Sequence, residues 1–121
     1  MLDFCVVWAG TFGTTLLADI GAEVLKVENP HVMQPMTRGR AHPPAVILEG
    51  PAAAGGYPNG EFGPRPWNYC PTFVQLYRNK KSFSVDLRRP EGMDILRRLI
   101  AESDVIIENN ATETMEKLGV T

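Results

Sequence analysis

The feature that most constrains the fold is the strand–helix–strand pattern of residues 1–28. Residues 2–8 form a short apolar run, interrupted by Asp3, that predicts a buried strand. A glycine-bracketed turn, AGTFG, follows, and the next segment has apolar residues at helical spacing, namely Leu16, Leu17 and Ile20. Gly21 suits the end of that helix, and AEVLKVE alternates as a second strand. A helix between two consecutive strands predicts a parallel pair with a right-handed crossover.

The C-terminal part of the chain repeats this alternation. Residues 82–87 alternate as a third strand, and Pro90 fits the first turn of a helix, where its missing N–H costs little. Residues 105–107 predict a fourth strand, and a short helix capped by Thr112 or Thr114 follows it. The pattern therefore predicts an α/β fold with a mainly parallel sheet and flanking helices.

Residues 29–68 interrupt the alternation. This segment holds most of the prolines, many glycines and few periodic apolar residues, so no single regular element is expected there. A loop of this length without regular structure is uncommon in a compact domain, and it is usually functional or disordered. Residues 1–121 have the size of one small domain, and residues 29–68 are its irregular Pro/Gly-rich part.

Composition and charge exclude several classes of protein. With 44% apolar residues and a net charge of −2, the chain is neither a disordered acidic tail nor a broad electrostatic binder of nucleic acid. Cys5 and Cys70 lack zinc-like spacing, so no metal is expected. No segment has the apolar length of a signal peptide or a membrane span, which leads us to expect a cytoplasmic protein. The basic cluster of Arg78, Lys80 and Lys81 is typical of a solvated face, although such cations also hold phosphates.

The predicted carboxyl ends of the strands are the places where ligands bind in a parallel sheet. The first strand ends near residues 8–11, and the second ends at residues 28–29. The fourth strand changes abruptly from an apolar run to one acid and two amides, namely Glu108, Asn109 and Asn110. This polar change therefore falls where a ligand would lie.

Individual motifs are weak evidence of function. AGTFG lacks the full GxGxxG fingerprint of a dinucleotide site. His31 and His42 have no Ser or Cys partner at an informative spacing, so no catalytic triad is predicted. Asp86, late in the third strand, is either a cap or a site residue. From the residues alone, the prediction stops at an α/β unit with a candidate anion-binding edge.

Five segments in order resemble one known family. They are AGTFGTTLLADIGAEVLKVE, TRG, RNKKSFSVDLRRPEG, SDVIIEN and TETMEKLG. Together they resemble the family III CoA-transferases, which include formyl-CoA transferase, carnitine CoA-transferase and α-methylacyl-CoA racemase. The resemblance covers most of the chain outside the Pro/Gly-rich segment. It implies a Rossmann-like sheet, of which this chain is a partial domain, with coenzyme A or acyl-CoA along the carboxyl ends of the first strands.

The resemblance also implies CoA-contacting residues by motif position, with no catalytic residue among them. Val7 and Trp8 match the tip of the first strand near the thioester. Asn29 follows the KVE motif, where formyl-CoA transferase has an arginine, and Val85 and Arg88 fall where the family touches the adenine and its phosphates. The remaining positions are Asn109, Asn110 and Lys117. Asn29 in place of a cation, and Asn110 in place of an aromatic residue, depart from the family pattern.

By this resemblance the chain is the N-terminal portion of a class III acyl-CoA:carboxylate CoA-transferase and contributes to CoA binding. The family nucleophile is an aspartate downstream of the matched segments, so the chain alone is expected to be inactive. Two alternatives remain open. One is a fragment of a racemase-like enzyme, in which an acid/base pair removes the proton α to the thioester. The other is a non-catalytic binding or assembly module. An open sheet edge further predicts self-association or a homodimer.

Overall fold

The computed structural model describes residues 1–32, 34, 57 and 62–120. Within these ranges the strands are β1 (Leu2–Asp3), β2 (Leu25–Glu28), β3 (Lys81–Ser84) and β4 (Ile106–Ile107). The helices are α1 (Ala9–Asp19), α2 (Pro66–Tyr69), α3 (Pro71–Tyr77), α4 (Pro90–Ala101) and α5 (Glu113–Lys117). Most of the irregular segment predicted at residues 29–68 lies outside the described residues.

The strands form one sheet in the order β3-β2-β1-β4. β1 pairs with β2 and with β4, and β2 pairs with β3, in each case in parallel. α1 connects β1 to β2, and α4 connects β3 to β4, as the alternating sequence pattern predicts. The α/β class with a mainly parallel sheet is therefore confirmed. Within the described part of the chain, β3 and β4 are the two edges of the sheet.

The strands are shorter than the apolar runs that predict them. β1 ends at Asp3 rather than at Trp8, because the N–H groups of Cys5 and Val6 are bonded by side chains rather than by a neighbouring strand. β3 ends at Ser84, before the end of its alternating run. There the carboxylate of Asp86 accepts the backbone N–H of Arg88 and turns the chain toward α4. Polar side chains thus replace backbone pairing at both places.

The apolar residues that identify α1 in the sequence do not face the sheet. Leu16, Leu17 and Ile20 are all exposed, and Ile20 keeps 81% of its surface in water. The buried residues of the helix are instead Thr11, Thr14, Thr15 and Ala18. The hydroxyl of Thr14 donates to the carboxylate of Asp3 at 2.6 Å. The hydroxyl of Thr15 donates to the C=O of Leu76 at 2.6 Å. Because buried hydroxyls favour hydrogen-bond partners, Thr14 and Thr15 pack α1 on the polar groups that the sheet and α3 supply.

The hydrophobic core lies on the α4 side of the sheet. Its buried centre consists of Leu2, Phe4, Met93 and Leu96, and partly buried side chains of β2, α4 and α5 pack around it. Pro90 occupies the first turn of α4, as predicted. A Cβ at Gly92 would lie 2.2 Å from the carbonyl oxygen of Asp86, so the loop before α4 can approach the helix only because this residue is glycine. This packing fixes Asp86 at the carboxyl end of β3.

Candidate functional site

A cavity of about 620 Å³ lies at the carboxyl ends of β1, β2 and β3. Residues that follow these strands line one part of its wall, and residues of α5 line another. Five of the positions assigned by the family resemblance are in the wall, namely Asn29, Val85, Arg88, Asn110 and Lys117. The other three, Val7, Trp8 and Asn109, are not. The structure therefore brings most of the predicted positions to one concave surface at the expected edge of the sheet.

Lys26, which lines the cavity, belongs to a buried ion cluster. Its ammonium group lies 3.1 Å from the carboxylate of Asp3, and the ammonium group of Lys80 lies 2.9 Å from the same carboxylate. None of the three side chains is more than 4% exposed. The ring centroid of Tyr77 lies 5.5 Å from one ammonium and 5.6 Å from the other. Two buried cations thus share one carboxylate, and an aromatic face stabilises the excess positive charge.

The ion cluster also bonds the backbone between β1 and α1. The carboxylate of Asp3 accepts the N–H of Cys5 at 2.8 Å, and the ammonium of Lys26 donates to the C=O of Cys5. The ammonium of Lys80 donates to the C=O of Thr11, in the first turn of α1, at 2.7 Å. The cluster therefore holds the end of β1 and the beginning of α1 in a fixed relation.

The ionisation of these groups follows from burial and pairing. Burial raises the pKa of Asp3, but the charge of Lys26 and the hydrogen bonds donated to the carboxylate outweigh it, so the pKa lies below its ordinary value. Burial lowers the pKa of Lys80, and Asp3 opposes that shift without reversing it. Burial and the Asp3 carboxylate raise the pKa of Cys5 to about 12. The thiol of Cys5 is therefore protonated at neutral pH and is a poor nucleophile.

A second ionic cluster stands at the rim of the cavity. The carboxylate of Asp86 accepts hydrogen bonds from Nε of Arg88 at 2.9 Å and from its Nη2 at 3.1 Å. Nε2 of His31 lies 2.9 Å from the same carboxylate. The hydrogen bonds from Arg88 hold the pKa of Asp86 well below its usual range, and the pKa of Arg88 is raised in turn. Asp86 is therefore ionised at neutral pH and faces two basic side chains.

The remaining wall residues from the prediction have local partners. The side-chain oxygen of Asn29 accepts the N–H of His31 at 2.8 Å, which orders the turn after β2. The ammonium of Lys117 donates to the carboxylate of Glu113 at 2.7 Å on the exposed side of α5. Water competes with such an exposed pair, so Lys117 can exchange its partner for an anion at little cost.

The predicted positions outside the cavity wall belong to the β1–α1 turn and its support. Val7 has a φ of 62°, a left-handed conformation that is unusual for a β-branched residue. Trp8 is 51% exposed. Oδ1 of Asn109 accepts the N–H of Val6 at 2.7 Å, and its Nδ2 donates to the C=O of Val6 at 2.8 Å. The amide that the resemblance assigns to the ligand is thus bonded to the turn.

Sequence reasoning missed the buried ion cluster. Asp3 stands out only as an interruption in an apolar run, and Lys80 belongs to a basic cluster typical of a solvated face, yet both side chains are at most 1% exposed. The register of the sheet is the signal that could have identified the first pair, because Asp3 lies directly opposite Lys26. No local pattern marks Lys80, because it is 77 positions from Asp3.

The described ranges hold no group of three or more His, Cys, Asp or Glu side chains arranged to bind a metal ion. Cys5 and Cys70 are buried free thiols. Among the helices of the described ranges, none combines the length and the apolar character that crossing a membrane requires.

Comparison with known proteins relates this architecture to a family. The model of CoA-transferase family III matches residues 1–121. The chain is 35% identical over 121 residues to succinyl-CoA–D-citramalate CoA-transferase of Chloroflexus aurantiacus, a match that covers 99% of this chain and 24% of that protein. It is 33% identical over 114 residues to the alpha subunit of succinyl-CoA–L-malate CoA-transferase from the same organism, covering 93% of this chain and 21% of the subunit.

A solved structure has the same fold. A CaiB/BaiF family protein from Brucella suis is similar with a TM-score of 0.69 and 31% sequence identity. The match covers 99% of this chain and 27% of that chain. The chain thus spans about a quarter of the length of the proteins that it matches.

Proposed function

The chain belongs to CoA-transferase family III, and from that premise we propose that it forms part of the CoA-thioester site of such an enzyme. In this proposal it corresponds to the N-terminal portion of a class III acyl-CoA:carboxylate CoA-transferase. The observation that carries the proposal is the cavity at the carboxyl ends of β1, β2 and β3, where Arg88 and Lys117 stand beside apolar surface.

The wall of the cavity has the chemistry that a nucleotide thioester needs. It contains three cations and two carboxylates, a net positive charge, contributed by Lys26, Arg88, Lys117, Glu28 and Asp86. Apolar side chains such as Val85, Leu87 and Met115 lie among them. Phosphates form strong, charge-assisted hydrogen bonds with guanidinium and ammonium groups, and apolar surface favours an adenine ring or a pantetheine arm. Arg88 is 67% exposed, so water already weakens its ion pair with Asp86. A phosphate can therefore replace Asp86 as the partner of the guanidinium group.

In this proposal the described residues supply binding rather than the transfer step. A carboxylate nucleophile must be free to attack the carbonyl carbon of the thioester. Asp86 is instead bonded to Arg88 and His31, and Glu28 accepts the hydroxyl of Ser82. The nucleophile would come from another part of a full-length enzyme. The two Chloroflexus aurantiacus relatives are named CoA-transferases, which supports the transferase branch over the racemase branch.

Self-association remains a proposal, and two features of the surface support it. β3 and β4 are the edges of the sheet in the part of the chain that the structure describes, and open edges promote pairing with another chain. The outer side of α1 and the residues that flank it also expose large apolar side chains. This α1 stripe consists of Trp8, Phe12, Leu16, Leu17 and Ile20. The cytoplasmic location remains a prediction as well.

Titration calorimetry with CoA tests the binding proposal. Arg88 and Arg97 provide a matched pair of variants, because each is an exposed arginine bonded to an aspartate at 2.9 Å and only Arg88 lines the cavity. We expect Arg88→Gln to weaken CoA binding at least about tenfold, the effect of losing one charge-assisted hydrogen bond. Arg97→Gln should change the affinity for CoA less than about twofold.

Absence of CoA binding by the unsubstituted chain would contradict the proposal, and so would equal effects of the two substitutions. A second measurement addresses the transfer step. Incubation of the chain with succinyl-CoA and a carboxylic acid acceptor should give no new thioester, and turnover would show that the described residues do more than bind.

A further inference from the structure

The side chain of Asn109 continues the hydrogen-bonded ladder between β1 and β4. The N–H of Phe4 donates to the C=O of Ile107 at 2.9 Å, as in an ordinary parallel pair. Two residues further along both chains, the N–H of Val6 donates to Oδ1 of Asn109 at 2.7 Å, and Nδ2 of Asn109 donates back to the C=O of Val6 at 2.8 Å. A side-chain amide therefore takes the place of the next backbone group in register.

This amide acts next to a strained residue. Val7 follows immediately with a φ of 62°, and such a backbone is strained and persists only where its surroundings impose it. On the β2 side, Asp3 and Lys26 hold the N–H and the C=O of Cys5. On the β4 side, Asn109 holds both backbone groups of the next residue. The two residues that precede the strained Val7 are thus both fixed, Cys5 from one side and Val6 from the other.

The location of the turn connects it with the ligand edge. Val6 lines the cavity, whereas Asn109 does not. An amide can make both bonds, whereas an ionised carboxylate accepts from an N–H but cannot donate to a C=O. Asn110, the next residue, lines the cavity, and its Nδ2 makes only a long hydrogen bond, 3.4 Å, to the C=O of Phe4. The two adjacent asparagines therefore occupy different environments.

We propose that Asn109 is a positioning residue whose two hydrogen bonds to Val6 hold the β1–α1 turn, with Val7 and Trp8, in the conformation that CoA binding requires. This inference rests on the proposed function. It changes the role of Asn109 from a ligand contact, as the family resemblance implies, to a support of the cavity wall. In this proposal the backbone of Val6, which Asn109 holds, faces the ligand. Of the two asparagines, Asn110 is the one that lines the cavity.

Amide hydrogen exchange of Val6, followed by NMR, and calorimetry with CoA test the proposal together. Asn109→Ala removes both the acceptor and the donor, and Asn110→Ala makes the matched truncation at the adjacent position. We expect Asn109→Ala to accelerate the exchange of the Val6 amide and to weaken CoA binding, each at least about tenfold. Asn110→Ala should alter Val6 exchange less than about twofold.

Three results would overturn the proposal. Unchanged Val6 exchange in Asn109→Ala would show that the amide does not restrain the turn. Faster exchange with unchanged CoA affinity would show that the restraint is irrelevant to binding, and it would leave the proposed function intact. Absence of CoA binding by the unsubstituted chain would overturn the proposed function together with this one. If Asn109→Ala does not fold, Asn109→Gln provides a second test, because it keeps the amide and displaces it by one methylene.

Discussion

The ammonium group of Lys80 lies 2.9 Å from the carboxylate of Asp3, although the two side chains are at most 1% exposed and 77 positions apart in sequence. The same carboxylate accepts a hydrogen bond from Lys26 at 3.1 Å. Asp3 is therefore the one carboxylate that neutralises two buried cations in the cluster. Replacing each of the three side chains should lower the free energy of unfolding by a different amount.

The first prediction concerns that difference. Asp3→Asn leaves two buried ammonium groups without a counter-charge and should lower the free energy of unfolding by about 3–5 kcal/mol. Lys80→Met keeps the pair of Asp3 with Lys26 and leaves only polar partners unsatisfied, so a loss of about 1–3 kcal/mol is expected. Urea unfolding measures both changes in the free energy of unfolding. Asp94→Asn, at a carboxylate 71% exposed, is the control and should change stability by less than about 0.5 kcal/mol. A larger loss for Lys80→Met than for Asp3→Asn would contradict the assignment.

The second prediction concerns acid. Since the pKa of Asp3 is lower in the folded chain than the ordinary value of 3.8, the unfolded chain binds more protons at this group between the two pKa values. The stability that Asp3 contributes is thus fully present above 3.8 and is lost as the pH falls through its folded pKa. The difference in urea midpoint between the unsubstituted chain and Asp3→Asn should narrow as the pH is lowered from about 6 to about 2. A difference that does not vary with pH would show that the Asp3 carboxylate is not the titrating group.

The third prediction uses two glycines of α1. A Cβ at Gly10 would lie 2.3 Å from Sγ of Cys5, so Gly10→Ala should destabilise the chain by about 1–3 kcal/mol. A Cβ at Gly13 would meet nothing within 4 Å, so Gly13→Ala should stabilise it by about 0.5–1 kcal/mol through helix propensity. Adding Cys5→Ala to Gly10→Ala should restore part of the lost stability, because it removes the Sγ atom that the new Cβ would contact. A double-mutant cycle measures this coupling. Equal effects of the two alanines would mean that α1 is not so close to Cys5.

The fourth prediction concerns the α1 stripe. Replacing Leu16 and Ile20 together by glutamine removes exposed apolar surface without touching the threonine side of the helix, and it should reduce self-association. Sedimentation velocity over a range of concentrations measures the change. Val74→Gln, at an apolar residue 55% exposed on α3, is the control and should have little effect. A chain that remains monomeric at all concentrations before any substitution would exclude this role for the stripe.

The alternation of the sequence was sufficient for the order and type of the elements. Apolar runs separated by helical segments predict parallel strands, because such strands are covered on both faces and need little polar alternation. The position of the cavity follows from the same topology, since the carboxyl ends of parallel strands meet at one edge. α5 begins one residue after Thr112, one of the two predicted cap positions, although the hydroxyl of Thr112 makes no capping hydrogen bond.

The interior side of α1 and the role of Asn109 could not be predicted in this way. Hydrophobic periodicity assigns apolar side chains to the interior, and it fails where the sheet offers Asp3 as a partner for the hydroxyl of Thr14. The contact of Asn109 with Val6 depends on the register of two segments 103 positions apart, and no local motif contains that information. In both cases a polar contact between distant segments determines the outcome.

The ion cluster also has a consequence for the order in which the chain can fold. Its charges come from β1, from β2 and from the residue before β3, so an intermediate that brings Lys26 and Lys80 together before β1 has docked would place two cations side by side without a carboxylate. Such an intermediate is electrostatically unfavourable, so β1 should dock on β2 before Lys80 arrives or together with it. Because the pairs are far apart in sequence, that assembly has a high contact order, and refolding should be slow for a chain of this size.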